Sequence, residues 1–456
     1  MTLAASIVAV GGCQTYHAQP LTPERVGAAA ASDPLPELAV RAQSFATKWP
    51  KPAAPLIDPS GKVDPAGAAL LAVVANPSLR AARAQKGVAD AQLLQAGILP
   101  NPSLSANIDP VAFGSTSDTV TGWGVGINWE ITSLLTRSAN IDAARAAATS
   151  VDLSIAWQEW QVAIAARQHA YRVLWLTQQV ELARAAETSA REFAQRASEL
   201  QASRMMSAPD QEATLAVVDQ AVSVRVDLES TLAEEQAALL KAIGLPQQAT
   251  LVVVPPPSRE GSDGAAPWTE PTPEAMSSAL DTRADLAALR MGYASQESKL
   301  RAAVASQFPK VSVGLNPAQD TSNVGTIGIG ISIDLPIFDR GQGRIAVESA
   351  TREQLFQEYS ARVFEATSDA QSAVAELKRI GARIAAAEAV AVRLEAIASR
   401  AQAGFAKGLV TSATLVQTRR DASDARMNVL KLRQQRDELR VAAEAVIGRW
   451  IEGDIA

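Results

Sequence analysis

Few side chains in this sequence can do chemistry. Its 456 residues include one cysteine, Cys13, and two histidines, His17 and His169. An intrachain disulfide is excluded, and a Cys/His zinc cluster lacks ligands. The histidines share no motif and read as solvated or packed polar residues. No nucleophile–base pairing, H-E-x-x-H or phosphate loop is present. The Gly-x-Gly pairs at 124–126 and 328–330 lack a third glycine and sit inside strand-like alternation, not at a strand-to-helix turn. The chain does not read as an enzyme, and no metal or cofactor site is expected.

Two groups near residue 205 remain. Glu199, Asp210 and Glu212 flank the stretch SRMMS at 203–207. They are the only acids near that turn, and carboxylates grouped there attract cations. Asp210 also fits a plainer role, closing the capping box Ser207-Ala-Pro-Asp210, and this is the favoured reading. Met205 and Met206 carry thioethers suited to soft metal ions. Packing is the favoured reading for both.

The elements that position these groups are mostly helical. Hydrophobic content is 47% but aromatics are only 4%, and alanine dominates. Such sequence suits long helices packed closely together more than one deep core. Net charge is −6 and no basic block occurs, so nucleic acid is not an expected partner. No apolar run reaches the ~20 residues of a membrane-spanning helix.

The chain begins MTLAASIVAVGGCQ. An apolar run, two glycines and Cys13 resemble the end of a bacterial lipoprotein signal peptide, with Cys13 as the lipidated residue. Val10 stands where leucine is usual, and no basic region precedes the run. The alternative is a buried free cysteine near the terminus. A Pro- and Ala-rich leader follows and reads as extended.

Beyond it lies an internal repeat. NPSLRAAR (76–83) corresponds to RADLAALR (283–290), GVGINWEI (124–131) to GIGISIDL (328–335), and AIGLP (242–246) to VIGRW (446–450). The offsets are 207, 204 and 204 residues. Each copy reads as helix, strand, strand, very long helix, turn, helix. Asp64-Pro65 caps a first helix predicted to reach Ile98, and Thr272-Pro273 does the same in the second copy. The long helices are predicted at 138–203 and 343–407, and the last helices end near Gly244 and residue 448. About 66 helical residues span roughly 100 Å, more than a compact core needs. Ile384, Ala387, Ala391, Leu394, Ala398, Ala401 and Phe405 step alternately by three and four, a heptad seam with small knobs. An ordinary amphipathic helix would show a similar stripe.

Four segments alternate with period two: 103–109, 123–131, 310–316 and 326–336. Their apolar sets include Trp123 and Trp129, then Ile327, Ile329, Ile331 and Ile333. Such strands fit either a sheet lying on helices or the wall of a transmembrane barrel. Trp123 and Trp129 share a face about 20 Å apart, close to the spacing of two interfacial aromatic belts. Four strands cannot close a barrel, and lipid does not tolerate open edges, so several chains would have to share one.

The stretches NPSLRAARAQKGVADAQLLQAGILPNPSL (76–104), GIGISIDLPIFDRGQGRIAVESA (328–350) and FAKGLVTSATLVQ (405–417) resemble the TolC-like outer-membrane efflux proteins. With the duplication, the resemblance covers about 67–450, and Cys13 fits the lipoprotein branch. It implies a mainly α fold with a small β part. Long coiled-coil-like helices would form a trimeric α-barrel, capped by a shared 12-stranded transmembrane β-barrel. It implies an exit duct of a tripartite exporter, working with a periplasmic adaptor and an inner-membrane pump, and set in outer-membrane lipid. The strand isoleucines and tryptophans would face lipid. Gly408, Leu409, Val410 and Thr411 match the helical tip that meets the adaptor. Ser203, Arg204, Met205 and Met206 take that place in the first copy without its glycine, which leaves their turn geometry open. The resemblance also implies a ring of acidic side chains closing the periplasmic end, which makes Glu199, Asp210 and Glu212 the candidate gate, since three symmetry copies of a lumen-facing carboxylate attract cations and narrow the passage. The resulting division is a signal peptide at 1–13, leader at 14–66, first repeat at 67–246, equatorial linker at 247–271, second repeat at 272–450 and tail at 451–456. A periplasmic adaptor, or an envelope coiled-coil scaffold without a pore, is the alternative. An adaptor would need one hairpin instead of two whole copies, and a scaffold needs no strands with an apolar outer face.

Overall fold

The computed structural model describes residues 15–30, 34–46, 56–114, 117–256 and 273–448. Cys13 and Thr272 lie outside these residues. The leader carries two helices, α1 (Pro23–Ala30) and α2 (Leu35–Ala46), so the extended reading fails there. In α2 the reason is a local stripe. Leu38, Ala39 and Ala42 fall on one side and are buried in the largest core cluster.

A two-residue strand β1 (Lys62–Val63) leads into α3 (Pro65–Ala75) and α4 (Pro77–Gly97). One helix to Ile98 was expected, and the break at Asn76 corrects it. Pro77 lacks an N–H and restricts the residue before it, so Asn76 leaves the helix and caps the next one through Ser78 N. The first repeat continues with β2 (Ser103–Asp109), β3 (Gly122–Glu130), the 70-residue α5 (Ser133–Ala202) and α6 (Ala208–Ile243). Strand β4 (Val252–Val253) pairs in parallel with β1. The second repeat comprises α7 (Pro273–Thr282), α8 (Ala284–Ala305), β5 (Val311–Gln319), β6 (Gly325–Ile333), α9 (Gln342–Ala406) and α10 (Ser412–Ile447). Here too the first helix breaks, at Arg283.

The 204-residue offset persists in the helix ends. Ala202 ends α5 and Ala406 ends α9; α6 and α10 start at 208 and 412 and stop at 243 and 447. Gly244 and Gly448 close the last helices in the left-handed conformation, at φ 91° and 78°.

Side by side the long helices run α6, α5, α10, α9, with α4 and α8 also against α5 and α8 against α9. The main core lies where α2, α3, α5 and α6 meet, around Leu70, Leu71, Ala166, Ala170 and Ile243. The expected heptad seam of α9 is buried or half-buried at all seven positions. Ile380 and Ile384 pack on Leu432 of α10.

Polar pairs stitch the helices together. Arg167 and Glu444, both buried, form an ion pair between α5 and α10. Trp175 Nε1 donates to Asp437 Oδ2 at 2.8 Å. In the first hairpin Arg184 meets Glu229 at 2.7 Å; at the equivalent positions of the second, Glu388 meets Arg433, also at 2.7 Å. The same bridge is kept with its charges exchanged.

Two acids at helix starts, Asp64 of α3 and Asp285 of α8, have opposite environments. Burial pushes the Asp64 carboxyl up, although Gly67 N and Leu56 N donate to it. At Asp285 burial acts in the same sense, but Arg283 and Arg362 outweigh it and hold the carboxyl below its usual range.

Candidate functional site

β2, β3, β5 and β6 form one antiparallel sheet in that order. The register puts Leu104 beside Ile127, Ile127 beside Leu315, and Leu315 beside Ile329. Every apolar set therefore falls on one face. Among the described residues no element covers that face: Ile327 is 80% exposed and Ile329 79%. Buried large apolar groups are the rule in a finished core, so a continuous bare face of this kind marks an interaction surface. Trp123 and Trp129 lie on it with their indole N–H groups satisfied by Gln319 Oε1 and Pro100 O, each at 2.9 Å. Both rings can thus face an apolar medium without an unpaired donor.

The opposite face holds Ser, Asn and Gly. Asn107 stands opposite Gly124, Asn128 opposite Gly314, and Asn316 opposite Gly328. Side chains of Asn107 and Asn128 lie across the facing glycines, and a Cβ at Gly124 or Gly314 would collide with them. The glycines here serve close approach. The sequence showed the alternation but not this interlock, which depends on register.

At the far end of the helices the two tips have one geometry. Arg204 (φ 56°) and Gly408 (φ 71°) are both left-handed. Met205 N donates to Leu200 O at 2.8 Å, and Leu409 N to Gly404 O at 2.9 Å. Both are Schellman-type closures. The turn geometry left open in the first copy is thus fixed, with arginine in the glycine position. Applying the offset to Gly408 would have found Arg204. Ser207 and Thr411 then cap α6 and α10, accepting from Asp210 N and Thr414 N. Met205 is 71% exposed and Leu409 78%, so the packing reading fails for Met205, whose turn holds it outward. Met206 and Val410 are half-buried.

Asp210 Oδ2 accepts from the Ser207 hydroxyl at 2.7 Å, a helix-cap arrangement. Glu199 and Glu212 are exposed on α5 and α6 beside the same turn. No group of three metal-ligating residues occurs among the described residues. No described helix is long and apolar enough to cross a membrane.

Residues 275–449 match the family model of the outer membrane efflux protein, which covers the second repeat. The cobalt-zinc-cadmium resistance protein CzcC of Cupriavidus metallidurans is 26% identical over 83% of this chain and 88% of its own length. Among solved structures, CusC superposes with a TM-score of 0.70 at 17% identity, over 84% of this chain and 91% of that one. The outer membrane protein VceC of Vibrio cholerae gives 0.69 at 17% identity, over 84% and 96%. The second repeat thus matches the outer membrane efflux protein model, and the duplicated helix–strand–strand–helix–helix plan shares its fold with CusC and VceC.

Proposed function

We propose that the chain is the outer-membrane exit duct of a tripartite efflux system. The observation that carries this reading is the two-faced sheet: an exposed apolar face, a small polar face, and open edges at β2 and β6. Four such strands need partners in lipid. Three copies joined edge to edge give a 12-stranded wall with apolar groups outside and a wet lumen inside. The 70 residues of α5 extend about 105 Å below it, the length of a periplasmic tube. Trp123, Trp129, Ile327, Ile329, Ile331 and Ile333 then face lipid.

The tips at 203–206 and 408–411 are the proposed contacts for a periplasmic adaptor that links the duct to an inner-membrane pump. Exposed Met205 and Leu409, at equivalent positions, support this. Cys13 is proposed to carry the lipid anchor. Similarity to a cobalt-zinc-cadmium resistance protein makes divalent metal cations the first cargo to test.

Single-channel recording in a planar bilayer, with the mass of the detergent-extracted protein, tests the duct. Discrete conductance from a trimer is expected. A monomer that never conducts would overturn it in favour of an envelope scaffold.

A further inference from the structure

The helical layer ends on two open edges. With the order α6, α5, α10, α9, the outer faces of α6 and α9 meet no other long helix among the described residues. The internal repeat indicates what belongs there. The offset of 204 carries α5 and α6 onto α9 and α10. The inner contact between α5 and α10 therefore has a counterpart, in which α9 meets α6 of a second copy.

The inner contact gives the register. Trp175 meets Asp437, Gln179 meets Gln434 at 2.7 Å, and Ser189 meets Arg419 at 3.3 Å. Moved by the offset, the first pair becomes Arg379 and Ala233, beside Glu234. The second becomes Arg383 and Ser230, one helical turn from Asp227. The third becomes Arg393 and Leu215, one turn from Asp219.

Charges on the two faces are complementary. Asp219, Asp227 and Glu234 recur at seven or eight residues along α6, in one exposed stripe. The bases of α6 are Arg225, held by Glu187 and Glu229, and Lys241 in its last turn. On α9, Arg379, Arg383 and Arg393 are exposed on the matching face. The nearby acid Glu376 is tied to Arg379 at 2.6 Å, and Glu388 and Glu395 are bound by Arg433 and Arg426. Among the described residues Arg383 and Arg393 make no ion pair.

We infer that α9 of one copy docks on α6 of the next, with Arg379, Arg383 and Arg393 facing Glu234, Asp227 and Asp219. The inference rests on the trimeric duct reading and specifies its seam. Exposed ion pairs add little affinity singly. Three in a row of one polarity select the partner face, because α6 against α6 or α9 against α9 sets like charges together, and their spacing favours the register in which all three pair.

The test uses the full chain extracted in detergent. Ser230→Cys with Arg383→Cys should give a covalent trimer on oxidation. Ser223→Cys with Arg383→Cys, about 10 Å out of register, should not. Asp219→Arg and Arg393→Asp should each lower the trimer-to-monomer ratio about tenfold at low salt, and together restore it. A wild-type trimer that conducts but does not cross-link at 230/383, or whose charge variants show no mutual rescue, would overturn the docking and leave the duct intact. A wild-type monomer would overturn both.

Discussion

Asn76 and Arg283 hold the same carbonyl in the two repeats. Asn76 Nδ2 donates to Ala242 O at 2.7 Å, and Arg283 Nη1 donates to Val446 O at 2.5 Å. Both donors stand at the break in the first helix, and both acceptors lie in the last turn of the repeat's final helix. The latch is shared by the two repeats and its chemistry differs. Asn76→Ala removes this bond and a cap, and should cost about 1–2 kcal/mol. Arg283→Ala should cost more, about 3 kcal/mol, since the guanidinium is buried, sits 4.8 Å over the Trp157 ring and pairs with Asp285. Chemical denaturation followed by helical circular dichroism checks the ranking. Equal losses would show that the latch alone matters.

The tips should respond oppositely to substitution. A left-handed arginine costs about 1–2 kcal/mol relative to glycine. Arg204→Gly should therefore strengthen the last turn of α5, and Gly408→Ala should weaken that of α9. Amide hydrogen exchange at Met205 and Leu409, the two closing donors, reads each effect directly. Faster exchange at Met205 in Arg204→Gly would contradict the account.

Sheet faces predict a sharp asymmetry. Ile329→Lys places a charge on the apolar face, at a cost of about 2–4 kcal/mol near the middle of a bilayer. Ser332→Lys, on the other face, should be tolerated. The yield of membrane-assembled trimer separates them. Equal yields would place both faces in water.

Asp285 and Asp64 should shift stability with pH in opposite senses. The Asp285 carboxyl lies below its unfolded value, so its contribution is present above the ordinary carboxylate range. It is lost as pH falls through the depressed folded value. Asp285→Asn should melt lower than wild type at neutral pH, with the gap closing in acid. Asp64 is raised by burial, so its contribution is present at low pH and lost as pH rises through the folded value. Asp64→Asn, which keeps the acceptor oxygen, should gain relative to wild type as pH rises toward neutrality. Thermal melts at pH 4 and 7 decide both.

Periodicity made much of this molecule legible in the sequence. The four strands, the heptad seam ending at Phe405 and the repeat offset all follow from the spacing of apolar residues. Asn76-Pro77 carried the signal of a break, but the surrounding helical pattern outweighed it. Arg204 was opaque because its side chain disfavours the backbone it adopts, and only the second copy explains it. The Arg167–Glu444 pair lay beyond local reading, because 277 residues separate its members. The asparagine–glycine interlock required the register of three strand pairs.

The exchanged bridge, Arg184 with Glu229 and Glu388 with Arg433, has a consequence for a chain built twice from one plan. Had both hairpins kept one polarity, the first long helix could fold onto the wrong return helix as easily as its own. As they stand, that error brings arginine against arginine and glutamate against glutamate. The nascent first half can thus complete its hairpin while the second is still emerging, and neither half captures the other's strand of the pair. Duplication supplied the likeness of the two halves, and this exchange gives each half a separate address during folding.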